Sequence, residues 1–163
     1  MPAPRLYETE LAERIVKLID TQLSSELGLK VVTIGALEFY PALENLIDNV
    51  PAVFVKPAPN TNLERITTAQ TYRITYNFRI VFIDLFHTNQ EVIKQKCLRT
   101  QKIAELLIDR VDLDGLELEN SKILSSNLKN IEWEPAEDNL VATINADLTC
   151  SALNFSVEAT ARK

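Results

Sequence analysis

From Tyr72 to Asp84 apolar and polar side chains alternate, with Tyr72, Ile74, Tyr76, Phe78, Ile80 and Phe82 in one set and Arg73, Thr75, Asn77 and Arg79 in the other. A period of two sends successive side chains to opposite sides of a pleated strand, so this segment is a strand with one apolar face. At roughly 3.3 Å per residue it reaches about 40 Å, twice the usual strand, which predicts that part of it projects beyond its sheet or bends at a bulge. A chain carrying such a strand must supply partners for its backbone and a second layer to cover its apolar face.

Two segments have the period of that second layer. Leu11, Ile15, Leu18, Ile19 and Leu23 recur at three and four within about Thr9–Leu27, the spacing of one helical face. Thr9 is the expected N-cap, Glu10 and Glu13 lie at the positive end of the helix dipole, and Gly28 is placed to end the helix in the left-handed conformation. In the second segment, Thr88 and Glu91 form a T-x-x-E capping box, followed by Ile93, Cys97, Thr100, Ala104, Leu107 and Val111 on one face. Asp112 to Gly115 ends that helix.

Shorter elements fill the rest. Lys30–Ala36 is short and β-branched, and Phe39–Asp48 reads as a turn followed by one or two helical turns. Pro51–Lys56 is a compact apolar strand closed by Pro57 and Pro59. Residues 57–70 form a long polar loop without periodicity, near the length at which loops are usually either functional or disordered. Two further strands follow, about Asn127–Glu134 and Leu140–Ser151, joined through the acidic turn Glu134–Asn139 as an antiparallel hairpin, with 154–163 an extended C-terminal tail. The expectation is one α+β domain over 1–163, a mostly antiparallel sheet of four to five strands with two main helices packed on one face. With 163 residues the chain can bury a sizeable core without staples.

Motifs of catalysis are sparse. His87 is the single histidine and has no nucleophile motif nearby, so a surface or interface role is the expectation. Cys97 and Cys150 match no metal-ligand spacing and read as reduced core thiols, and no metal site or cofactor is expected. Three glycines, Gly28, Gly35 and Gly115, leave no Gly-rich phosphate loop. The carboxylate pairs Glu132/Glu134 and Glu137/Asp138 flank the expected turn, where solvated charge is the common reason for acids. A net charge of −6 argues against a dedicated binder of nucleic acid or anionic membrane, and no run approaches a membrane span. The N-terminus lacks the apolar core of a signal peptide, so assembly in the cytosol is expected.

What remains is surface. Arg73 and Arg79 share the polar face of the long strand, and Arg65 comes near them if the preceding loop forms one edge with it. A solvated face and an inter-subunit ionic contact are both open for these arginines. Asn60, Asn62, Glu64 and Arg65 in the loop are candidates for touching a neighbouring subunit, as are Glu137 and Asp138 in the acidic turn. Trp133 alternates with Ile131, and both a core and an interface position fit it.

Taken whole, the order of elements resembles the bacteriophage tail terminator or tail-completion family. The likeness rests on the N-terminal helix, the strand PAVFVKP, the polar loop, the long strand TYRITYNFRIVFID, the capped helix TNQEVIKQKCLRTQKIAELLID, and the closing hairpin around NIEWEPAEDNLVATINADLTC. It implies a structural virion protein of the tail or neck, not an enzyme. Such a protein forms a homo-oligomeric ring, usually six subunits, that caps the tail tube and joins it to neck or connector proteins. A tail sheath protein is a further partner where the tail contracts, and DNA passes through the lumen without sequence-specific binding. A head-completion or neck connector ring is the nearest alternative. An enzyme built on His87 and a nearby carboxylate, or a monomeric module binding through a sheet edge, are alternatives of other classes.

Overall fold

The computed structural model describes residues 6–35, 50–58, 62–65, 71–85, 90–109, 116–133 and 148–162. Two helices and six strands follow in the order α1 (Glu8–Leu27), β1 (Val31–Ile34), β2 (Ala52–Pro57), β3 (Asn62–Arg65), β4 (Thr71–Leu85), α2 (Gln90–Asp109), β5 (Ser121–Trp133) and β6 (Leu148–Arg162). The strands form one sheet of order β1-β2-β4-β6-β5, with β3 pairing β4 next to β2. Among the described residues only the β1–β2 pair is parallel.

Both helices pack on one face of the sheet, as the α+β reading expects. Leu11, Ile15 and Ile19 of α1 and Ile103 and Leu107 of α2 are fully buried against Ile74, Tyr76, Ile80 and Phe82 of β4 and Leu153 and Val157 of β6. Burying side chains of this size stabilises each by ~1.5–3 kcal/mol relative to exposure, which makes this layer the main source of stability. Gly28 ends α1 with φ 66, a conformation that costs glycine nothing. The N-cap is Tyr7 rather than Thr9, with no side-chain cap bond. The Tyr7 backbone N–H instead donates to Tyr76 Oη at 3.3 Å, and Tyr7 Oη donates to the Glu119 carbonyl. Tertiary contacts thus anchor the helix start where a local cap was expected.

Four expectations are corrected. β4 does not project: β6 pairs with it from Thr71 to Leu85, and β2 and β3 divide its other flank. The polar loop over 57–70 contains β3, because hydrogen bonding to β4 can order a segment that has no apolar period of its own. The expected tail from Asn154 onward is the greater part of β6, an interior strand held between β4 and β5. The hairpin also has a different register. β5 and β6 are antiparallel, but Trp133 stands opposite Ser151, whereas a turn at Glu134–Asn139 would set Glu134 opposite Asn139.

The expected helical turns at 39–48, the capping residue Thr88, the helix stop at Asp112–Gly115 and the turn Glu134–Asn139 lie outside the described residues.

Candidate interaction surface

Alternation leaves the other face of the sheet free of both helices, and that face changes character along its length. Near one end Val50, Ala52, Phe54, Val81, Ile83 and Cys150 form a second, smaller buried cluster. Two residues along β4 from Val81 stands Arg79, and from there the face is polar.

Arg79 is buried, with 9% of its surface exposed, and its guanidinium donates to Glu132 Oε2 at 2.5 Å and to Asn154 Oδ1 at 3.1 Å. The Asn154 amide donates in turn to Glu132 Oε2 and to Asn130 Oδ1, each at 3.1 Å. Three strands are tied together by this network, since Arg79 lies on β4, Asn154 on β6 and Glu132 on β5. Desolvating a guanidinium is tolerable only when its donors are satisfied by charge and geometry, which Glu132 and Asn154 supply. Hydrogen bonds from Arg79 and then Asn154 hold the Glu132 carboxyl below its ordinary range.

One rung further, Lys129 Nζ donates to Asn77 Oδ1 at 2.8 Å across the sheet. Asn77, Lys129, Asn130 and Asn154, with Ala58 and the strands at Phe78 and Phe155, line an open hollow of about 260 Å³. Its groups are amides and an ammonium, suited to hydrogen bonding with a polar partner surface. Among the described residues no group of three or more His, Cys, Asp or Glu side chains is placed to hold a metal ion. No described helix is long and apolar enough to cross a membrane.

β5 owes its fit to two irregularities. Register shifts fall between Ile123 and Ser125 and between Leu128 and Asn130. Each extra residue inverts the alternation that follows it, so Ile123, Leu128 and Ile131 all pack toward the helices although their spacings are five and three. Asn127 and Asn130 reach the polar face by the same device, standing opposite Ser156 and Asn154.

The candidate residues separate. Arg73 is exposed on the polar face, with Glu64 opposite it on β3. Arg79 is not a surface cation, because burial and Glu132 commit it to the protein's own network. Arg65 stands opposite Tyr72 and Asn62 opposite Thr75, so β3 brings the loop candidates level with the first rungs of β4. Asn60, His87, Glu137 and Asp138 lie outside the described residues. Trp133, left open between core and interface, is 46% exposed at the end of β5. Cys97 and Cys150 are free thiols, the second buried on the face opposite α2.

Sequence reasoning did not single out Lys129, Asn130 or Asn154, and treated Glu132 as solvated charge. The available signal was the run Asn154, Ser156, Glu158 and Thr160 alternating with Leu153, Phe155, Val157 and Ala159, a second half-buried strand.

No protein-family model matches this chain, and no curated protein matches it. The fold itself is shared. A chain of the structure titled "Virion of native gene transfer agent (GTA) particle" superposes with a TM-score of 0.58 at 14% identity, over 95% of this chain and 99% of that one.

Proposed function

We propose that this protein is a structural virion component that acts as a tail terminator: a homo-oligomeric ring, six subunits by family resemblance, that caps the tail tube, stops its growth and joins the tail to neck or connector proteins. The observation that carries the reading is the end-to-end match of fold with a chain of a virion particle, with almost nothing of either chain left over. The element order points the same way, since it resembles the tail-terminator family throughout. Surface chemistry is compatible with assembly. The described polar features are a sheet face and an open hollow, and among the described residues no strand pairs the outer edge of β5. In this reading the tail tube protein is the main partner, a sheath protein joins it in a contractile tail, and DNA crosses the lumen without being gripped.

The test is direct. Purified protein is examined by mass photometry, alone and with tail-tube protein, and tube ends are imaged by electron microscopy. A closed oligomer seated on tube ends, with tube growth arrested, supports the reading. A monomer that leaves tube length unchanged overturns it.

A further inference from the structure

A ring needs two different surfaces that fit each other, and charge distinguishes two sides of this molecule. On the polar sheet face Arg73 and Lys122 share one rung, both standing opposite Thr160, and both are exposed. Two inter-strand spacings put them about 10 Å apart. Lys129, also exposed, joins the same face through Asn77. The described carboxylates there are less available, since Glu132 is bound to Arg79 and Glu158 is half-buried; in the backbone register Glu64 of β3 is the partner of Arg73. This face is rich in exposed cations although the whole chain carries −6.

The opposite, helix-bearing side has the complementary patch. Glu8, Glu10 and Glu13 occupy the first turns of α1, and Glu117 and Glu119 lie in the segment leading to β5. Tyr7 joins the two groups, because its hydroxyl donates to the Glu119 carbonyl while its N–H holds Tyr76. Leu116 and Leu118 pack into the helix-side core, which fixes that segment on this side of the sheet. Glu13, Glu117 and Glu119 are exposed, and the first cations of α1, Arg14 and Lys17, come only afterwards.

Resting on the ring reading above, we infer that the occupant of the sheet face around Lys122 and Lys129 is a second copy of this chain, docked through the acidic patch formed by the start of α1 and the 117–119 segment. The two patches lie on opposite sides of one subunit, so neither can satisfy the other within a chain. Repeating the contact gives a head-to-tail assembly that closes when the rotation per subunit fits. Opposed patches of this kind set orientation and speed encounter, and they weaken as salt screens them.

Four proteins test the inference by mass photometry across a salt series, with circular dichroism confirming that each folds: wild type, Lys122→Glu/Lys129→Glu, Glu13→Lys/Glu117→Lys, and the quadruple exchange. Each double variant is expected to self-associate about tenfold or more weakly, and the quadruple variant to recover because both patches have changed sign. Wild-type assembly is expected to fall as salt rises. If wild type assembles and the double variants assemble equally well, this contact is wrong while the ring reading stands. Loss in the doubles without recovery in the quadruple overturns the pairing of these two patches. A wild type that is monomeric at every salt, alone and with tail-tube protein, overturns both.

Discussion

Arg79 and Glu132 lie on strands that do not touch, β4 and β5, yet their side chains meet across β6 at 2.5 Å. The arginine side chain is nine-tenths buried while 41% of the glutamate side chain is exposed. Removing the acid is therefore expected to be costly chiefly for what it does to the arginine. Glu132→Ala should lower stability by ~1–3 kcal/mol in urea unfolding, since a buried charge keeps only part of its hydrogen bonding. Glu105→Ala on the exposed side of α2 should stay within ~0.5 kcal/mol.

The same pair predicts a pH dependence. Arg79 and Asn154 depress the Glu132 pKa from its ordinary 4.5. A depressed carboxyl stabilises the folded state fully above the unfolded value and loses that contribution as pH falls through the folded one. The stability difference between wild type and Glu132→Gln should therefore be constant from neutral pH down to about 5 and shrink progressively below 4.5. A difference that instead grows in acid would contradict the assigned partner.

On the helix-bearing face of β4, burial raises the Tyr76 pKa above 10.0. A raised value means stability is complete below pH 10 and declines as pH rises toward and through the folded pKa. Tyr76→Phe should flatten this alkaline decline. It also removes the acceptor of the Tyr7 N–H, at a cost of ~1 kcal/mol or more at pH 7. Thermal melts at pH 7 and pH 10.5 read both effects.

A chain ending at Leu153 is expected not to fold. It would lose Phe155, Val157, Ala159 and Ala161 from the core and leave most of β4 and β5 without their shared partner. Phe155→Ala alone should cost ~3–5 kcal/mol. Near-native circular dichroism for the truncated chain would remove β6 from the centre of this account.

The two extra residues of β5 can be deleted individually. Removing Leu124 or Lys129 leaves the pairs on either side in step, Ile123 with Ala159 and Ser125 with Glu158, or Leu128 with Phe155 and Asn130 with Asn154. Deleting Leu124 should therefore preserve the fold, but flatten the outer edge and raise aggregation during light scattering at elevated temperature.

Local pattern determined the helices α1 and α2, the strand β4, the glycine stop of α1 and the α+β class. In each, a side chain's neighbours at two, three or four residues decide which face it joins, and that information lies within a dozen residues of chain. Tertiary structure decided where β6 runs, because apolar residues are even-numbered from Leu140 to Cys150 and odd-numbered from Leu153 to Ala161. Read locally, that change of parity ends a strand. In the fold, β6 crosses it without a break, because around Ser151 the sheet is buried on both faces, with Cys150 in one cluster, Leu153 in the other and Ser151 bonded to Thr100 of α2. The Arg79 network was hidden for a related reason. Its members are 53 and 75 residues apart in sequence, and only the register of three strands, adjusted by two bulges, brings them together.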